Sequence, residues 1–168
     1  MQLANVEQGV IDPTDLARWF AYGIDAVGRG DLERGVALWE EALADDYSFK
    51  FTFFPGGPSV ECPGPECPIQ DFESLARLRA DFAHAEFKRQ GYLATQHQMH
   101  NVELRSREGN QAEVFAYIQA NHFLTGDVVD IFWGDYAIEC VEQDGRWRIR
   151  REEIVGTSFL KFQGGPIA

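Results

Sequence analysis

Residues 111–123, Q-A-E-V-F-A-Y-I-Q-A-N-H-F, alternate small or aliphatic residues with polar or aromatic ones at a period of two. Successive side chains of a β-strand point to opposite faces, so this pattern predicts a strand with one buried face. The turn sequences E-G-N (108–110) and T-G-D (125–127) bound it, and Asp144-Gly145 is a hairpin signal. Strands are therefore predicted near residues 92–106, 111–124, 128–143 and 146–156, in an antiparallel meander.

Helical patterns occupy the first half of the chain. Asp12-Pro13 begins a helix that runs to about Arg29, because aspartate caps helices and proline fits their first turn. A short helix from Asp31, a strand at 46–54 and a helix at about 71–89 follow. Residues 55–68 contain five prolines and three glycines, which predicts a long irregular loop. The order predicts an α+β fold, with a curved, mostly antiparallel sheet wrapped around the N-terminal helices and a pocket between them.

The composition bounds the number of domains and the partners. At 168 residues with 45% apolar content, residues 1–168 are predicted to form a single domain, with a core at about 12–158 and a tail at 159–168. A net charge of −12 argues against nucleic acid and anionic membranes as partners. No apolar run is long enough to span a bilayer, and the N-terminus does not resemble a signal peptide, so we expect a cytoplasmic protein.

Cysteine and histidine spacing argues against a metal site. Cys62, Cys67 and Cys140 do not supply the paired ligands of a zinc ribbon, and we expect reduced thiols. A disulfide across C-P-G-P-E-C (62–67) is the alternative. In L-A-T-Q-H-Q-M-H-N (93–101), His97 and His100 are three residues apart, so a regular strand places them on opposite faces. They cannot bind one ion together, and His100 is predicted to be structural.

Several short motifs follow one another along the chain in the order that is typical of a known protein family. They are G-D-L (30–32), T-Q-H with an asparagine four residues further on (95–101), A-x-V-x-x-Y (112–117), W-G-x-Y (133–136) and D-G-R-W-R-I (144–149). Over residues 12–158 the chain resembles the SnoaL-like branch of the nuclear-transport-factor-like superfamily, which includes scytalone dehydratase, ketosteroid isomerase and polyketide cyclases. The resemblance implies a cone-shaped pocket, chemistry without a cofactor, and a homo-oligomer, either a dimer or a trimer.

The resemblance also implies a catalytic pair. In scytalone dehydratase-like proteins, the histidine of T-Q-H faces the pocket and works with an aspartate late in the first helix, which here would be His97 and Asp25. An imidazole can remove a proton near neutral pH, and a carboxylate on its other nitrogen orients it. The helical phase opposes this pairing, because Asp25 shares a face with residues typical of solvated surface, namely Asp15, Arg18, Tyr22 and Arg29. Both placements of Asp25 remain open.

Other candidate residues follow from strand parity and polar aromatic groups. His122 ends the apolar face of 111–123, and the resembled proteins carry a second pocket histidine on this strand; a core histidine is the alternative. Tyr22, one helical turn before Asp25, is predicted to be a catalytic hydrogen-bond donor. The block W-R-I-R-R-E-E (147–153) is predicted to be a solvated or subunit-facing surface. The predicted substrate-binding residues are Asn101, Tyr47, Tyr117 and Trp133.

Together these features predict a cofactor-independent lyase acting on a small aromatic or polyketide-like molecule. His97 would remove a proton, while Tyr22, His122 or Asn101 would stabilise an oxyanion or protonate the leaving hydroxyl. Dehydration is the simplest reaction; isomerisation, cyclisation, carbon–carbon cleavage and epoxide opening use the same groups. The alternative is a non-catalytic ligand-binding or assembly module of the same fold.

Overall fold

Three helices and six strands form the part of the chain that this computed structural model describes, residues 12–64, 67, 69 and 72–164. The predictions for residues 1–11 and for the last four residues of the tail lie outside these ranges. No helix within them is long and apolar enough to cross a membrane. In chain order the elements are α1 (Pro13–Gly28), α2 (Leu32–Ala42), β1 (Leu43–Thr52), β2 (Ser59–Cys62), α3 (Leu75–Gln90), β3 (Ala94–Glu108), β4 (Gln111–Phe123), β5 (Val128–Gln143) and β6 (Arg146–Gln163).

The strands form one six-stranded sheet in the order β2-β1-β6-β5-β4-β3. Strands β3 to β6 make the predicted antiparallel meander. Strand β1 pairs in parallel with β6, and β2 adds antiparallel to β1, so the sheet is mixed and open. The predicted α+β class, with a curved sheet against the helices, is confirmed.

Local capping chemistry sets the ends of the helices. The Asp12 side chain accepts a hydrogen bond from the Thr14 backbone N–H at 2.9 Å, which caps α1 as predicted. Helix α3 begins at residue 75 rather than 71, because the Ser74 hydroxyl caps it by accepting from the Arg77 N–H. Gly91 ends α3 in the left-handed region with φ 78°, a conformation that glycine adopts without steric cost.

Two segments depart from the predicted loop and tail. Residues 59–62 pair with β1, and Cys62 is joined to Cys67 by a disulfide, so the expectation of reduced thiols is wrong for this pair. The bend holds the two Cα atoms 5.0 Å apart, within the range that a disulfide bridges. Strand β6 continues to Gln163, and its last residues pair with the first half of β5, from Val128↔Gln163 to Trp133↔Ser158.

The core lies between the inner face of the sheet and the helices. The inward row of β4 is formed by small or aliphatic residues that are fully buried and let the helices approach closely, namely Ala112, Val114, Ala116, Ile118 and Ala120. Trp39 of α2 is completely buried and donates its indole N–H to the Phe20 carbonyl at 3.2 Å. Burying such a ring without unsatisfied polar groups contributes several kcal/mol, on the order of 25 cal/mol per Å² of apolar surface.

Candidate active site

His97 lies on the inward face of β3, with only 5% of its side chain exposed. It pairs across the sheet with Ala120, whereas His100 pairs with Tyr117 and is exposed. Because the strand is regular between the two histidines, they occupy opposite faces as the sequence predicts. Among the residues described, no three histidine, cysteine or acidic side chains are grouped to bind a metal.

Asp25 binds His97 through both the ring and the backbone. The ring Nδ1 is 2.8 Å from Asp25 Oδ1, and the His97 backbone N–H donates to the same carboxylate at 2.9 and 3.1 Å. The buried Thr95 hydroxyl donates to Oδ1 at 3.2 Å. An ionised carboxylate only accepts, so Nδ1 carries the proton and the lone pair of the neutral ring is at Nε2.

Two glycines explain why Asp25 faces the sheet rather than solvent. Helix α1 runs unbroken through Gly23 and Gly28, and a Cβ at Gly28 would overlap the side chain of Thr95. A Cβ at Gly23 would overlap the Trp39 ring on α2. The end of α1 is therefore packed on both sides, and the face that is solvated at Tyr22 is buried at Asp25.

His122 lies beside His97 on the neighbouring strand. Its ring centroid is 5.7 Å from that of His97 and 4.5 Å from the Tyr92 ring, on which it stacks with an interplanar angle of 13°. Burial, and then the proximity of His97, lower the pKa of His122 to about 3, so its ring is neutral near pH 7. Its Nδ1 is buried and makes no hydrogen bond within the described ranges.

A cavity of about 420 Å³ lies between α3 and the inner face of the sheet. Both histidines and the hydroxyl-bearing rings of Tyr92 and Tyr136 contribute to its wall. Six phenylalanines also line the cavity, together with aliphatic residues and the polar side chains of Arg79, Glu86, Arg89 and Gln90; the phenylalanines are Phe51, Phe53, Phe82, Phe87, Phe132 and Phe159. Such a cavity suits a small ring-bearing molecule that meets a few polar groups.

Arg79 is a cavity residue that the sequence analysis missed. It lies on α3, is 4% exposed, and its guanidinium faces Glu152 of β6 with Nη2 3.8 Å from Oε1. Burial raises the pKa of Glu152 to about 7, against the opposing effects of Arg79 and Tyr47. The prediction that 147–153 is a solvated or subunit-facing surface is wrong at Trp147, Ile149 and Glu152, all of which are buried. A register shift after Ile149 reverses which residues of β6 face the core. Glu152 is two residues before the apolar Ile154, and this spacing was the signal in the sequence that Glu152 faces the core.

Tyr136 is a second cavity residue absent from the sequence-based site. It pairs with inward-facing Ala116, so its ring lies on the inner face. It shares strand parity with Ile138 and Cys140, which was the signal in the sequence. Burial, followed by the charge of Glu152, raises the pKa of Tyr136, and its hydroxyl therefore stays protonated near neutral pH.

Four predicted residues do not reach the cavity. Tyr22 is 62% exposed on α1, and Tyr117 is 49% exposed on the outer face of β4, because it alternates with inward-facing neighbours. Trp133 also lies on the outer face and donates to the Gln119 side chain at 3.4 Å. Asn101 is exposed at a β-bulge with φ 48°, a left-handed conformation that asparagine tolerates.

Tyr47 has a supporting position instead of the predicted contact with substrate. It is buried in β1 behind the cavity wall, and its hydroxyl donates to Glu152 Oε2 at 2.6 Å. Of the eight residues predicted for the site, the structure therefore brings Asp25, His97 and His122 together at the cavity, places Tyr47 behind it, and leaves the other four on the surface.

The fold and the motifs identify the family. The chain belongs to the SnoaL-like domain family, whose model matches residues 15–153, and through it to the nuclear-transport-factor-like superfamily. No curated protein sequence matches the chain.

Solved structures share the fold at low sequence identity. The Kfla4162 protein of Kribbella flavida is 17% identical with a TM-score of 0.64, covering 89% of this chain and 93% of its own. A scytalone dehydratase-like protein of Novosphingobium aromaticivorans is 17% identical with a TM-score of 0.56, covering 92% and 86%. A hexachlorocyclohexane dehydrochlorinase of Novosphingobium barchaimii is 14% identical with a TM-score of 0.64, covering 92% and 90%.

Proposed function

We propose that this protein is a cofactor-independent lyase that eliminates a proton and a leaving group from a small, largely apolar ring molecule. The observation that carries the proposal is the 2.8 Å contact between Asp25 and His97 Nδ1 at the wall of an aromatic cavity. A histidine oriented by a buried carboxylate is a suitable general base near neutral pH.

The pair divides the work of proton removal. Asp25 engages Nδ1, so His97 Nε2 accepts the substrate proton and the ring becomes an imidazolium. The nearby carboxylate stabilises that positive charge, and the hydrogen bonds from Thr95 and the His97 backbone hold it in place. This preorganisation avoids rearrangement during the reaction, which is the main advantage of a rigid polar site.

The rest of the elimination follows from the balance of electrons and protons. The electron pair of the broken C–H bond forms the new double bond, and the leaving group departs with its own bonding pair. In a dehydration, the proton held by His97 leaves with the hydroxide as water, which restores the neutral ring. His122, whose ring is neutral and stacks on the Tyr92 ring 4.5 Å away at the cavity wall, is a hydrogen-bond donor for the departing group.

The names of two structurally similar proteins support elimination over the other reactions that such a site could catalyse. One is named for a dehydratase and another is a dehydrochlorinase, and both words describe the loss of a small acid or water. Their identity to this chain is low, so the support concerns the reaction class and not the substrate. Isomerisation and cyclisation would begin with the same proton abstraction.

The direct test is a search for turnover by ultraviolet absorbance. Cyclic alcohols, hydroxy-ketones and alkyl halides would be incubated with the protein, with and without a chelator, while a new conjugated double bond is sought. Turnover that resists chelation and disappears in His97→Gln would support the proposal. Ligand binding without turnover across the panel would instead favour the non-catalytic ligand-binding module.

A further inference from the structure

A buried arginine on the cavity wall is not used in the proposed proton transfer. The Arg79 guanidinium carbon lies 4.5 Å from the Phe49 ring centroid, 5.1 Å from that of Phe20 and 5.4 Å from that of Trp39. Cation–π contacts stabilise a desolvated cation, but they do not supply acceptors for its N–H groups. The guanidinium therefore depends on other partners for its hydrogen bonds.

Its carboxylate partner satisfies it only in part. Arg79 Nη2 and Glu152 Oε1 are 3.8 Å apart, longer than the 2.7–2.9 Å of a charge-assisted hydrogen bond. Arg79 Nε and Glu152 Oε1 are both buried without a hydrogen bond to any described residue. Tyr47 holds the other oxygen of the carboxylate at 2.6 Å, so Glu152 is fixed at this distance from the guanidinium.

Tyr136 lies beside this pair and also faces the cavity. Its ring centroid is 5.9 Å from that of Phe20, and the Phe20 ring also contacts the Arg79 guanidinium. The Tyr136 ring is buried and contributes to the wall of the cavity. A buried tyrosine normally finds a partner, which makes a ligand atom the natural acceptor.

We propose that Arg79 and Tyr136 form an anchoring subsite for an acceptor oxygen, a ketone or carboxylate oxygen, carried by the ring-bearing ligand of the cavity. The inference rests on the proposed function, since it takes this cavity as the substrate site. A planar guanidinium and a neutral hydroxyl are both donors, so together they select an oxygen that accepts two hydrogen bonds. The apolar ligand would then be oriented at both of its ends, by this subsite and by His97.

The test compares three naphthalenes that share a ring system and differ in the acceptor oxygen. 2-Acetonaphthone carries a ketone, 2-naphthoate a carboxylate and 2-isopropylnaphthalene neither, and titration calorimetry would give their dissociation constants. Hydrogen bonds to charged groups suggest that an oxygen-bearing ligand binds about tenfold or more tightly than the hydrocarbon. The ketone and carboxylate arms distinguish a neutral acceptor from an oxyanion. Equal affinity for all three would overturn the inference.

Variants separate a ligand subsite from a purely structural ion pair. Arg79→Met combined with Glu152→Leu removes both buried charges together, which is often tolerated by a fold, and should abolish the preference. Glu152→Gln removes the competing carboxylate while keeping Arg79, and should tighten 2-naphthoate binding several-fold without affecting the hydrocarbon. Tyr136→Phe should reduce the preference. A preference retained in the charge-free double variant, or no gain in Glu152→Gln, would contradict the subsite.

A further variant separates this inference from the proposed function. His97→Gln should keep the preference for an oxygen-bearing ligand even where turnover is lost. A preference without turnover on any substrate would support the subsite and count against the lyase. Turnover that depends on His97, without any preference for an acceptor oxygen, would retain the lyase and exclude the subsite.

Discussion

The Asp25 carboxylate accepts hydrogen bonds from both the backbone N–H of His97, at 2.9 Å, and the ring Nδ1 of the same residue, at 2.8 Å. One carboxylate thus sets both the position of strand β3 relative to α1 and the orientation of the His97 imidazole. The geometry of the site and the packing of the helix against the sheet are therefore coupled, and variants at this junction should affect both.

The first prediction concerns the two histidines of β3. His97→Gln keeps size and some hydrogen bonding but removes the titratable nitrogen, so turnover should fall by about 10²–10⁴-fold. His100→Gln, on the exposed face, is the matched control and should change turnover little. Steady-state kinetics with circular dichroism as a folding check would measure both. Equal losses in two folded variants would exclude the assignment of His97 as base.

The second prediction concerns the partner carboxylate. Asp25→Asn preserves shape but loses the charge that stabilises the imidazolium, so turnover should fall by up to about 10²-fold, between His100→Gln and His97→Gln. The loss should appear in kcat rather than in ligand affinity, because Asp25 binds the base and not the ligand. Unchanged kcat in this variant would show that the pair is structural.

The third prediction concerns the two glycines of α1. Gly28→Ala places a methyl group against Thr95 and should cost about 1–3 kcal/mol of unfolding free energy by overpacking. Because the displacement is towards β3, it should also reduce turnover. Gly23→Ala overpacks α1 against Trp39 of α2 and is the matched control. It should destabilise to a similar degree while the folded fraction keeps its turnover, as measured by denaturant titration and kinetics.

The fourth prediction concerns the response of stability to acid. The folded-state pKa of His122, about 3, lies below its ordinary value of 6.5, so the unfolded chain binds the additional proton between these values. This contribution to stability is present above pH 6.5 and is lost as the pH falls towards about 3. His122→Gln should therefore lose less unfolding free energy than the wild type over that window. Parallel pH profiles for the two proteins would refute a neutral, buried His122.

The fifth prediction concerns self-association through the outer face of the sheet. Phe123, Val129 and Phe162 lie opposite one another on adjacent strands, with Leu160 nearby, and three of these side chains are exposed apolar groups. Such a patch favours association, and we expect a dimer or trimer by light scattering at micromolar concentration. Phe162→Glu should shift the protein towards the monomer, whereas Gln111→Glu, at the other end of β4, should not. A wild-type protein that is already monomeric would contradict this prediction.

Local patterns were sufficient for the three helices, β1, the four-stranded meander and the orientation of His97, but not for β2 or for the continuation of β6 to Gln163. The period of two in 111–123, the turn at Asp144-Gly145 and the Asp12 cap encode strands, hairpin and helix start within a few residues of themselves. The parity of His97 and His100 needs only a regular strand between them. These features could be predicted because their causes, side-chain alternation and hydrogen-bond capping, are local.

Tertiary structure decided the rest of the site. Asp25 is buried because α1 is packed between Trp39 and Thr95. The spacing of polar and apolar residues along α1 does not show that these two residues cover it. Register shifts at Asn101 and after Ile149 invert the alternation of their strands, which turns Asn101 outward and Glu152 inward. A bulge arises from how two strands pair, and a helix face is buried by what packs on it. The chain by itself therefore determined most of the elements and the inward orientation of His97, whereas contacts between distant segments determined its carboxylate partner and the Arg79–Glu152 pair.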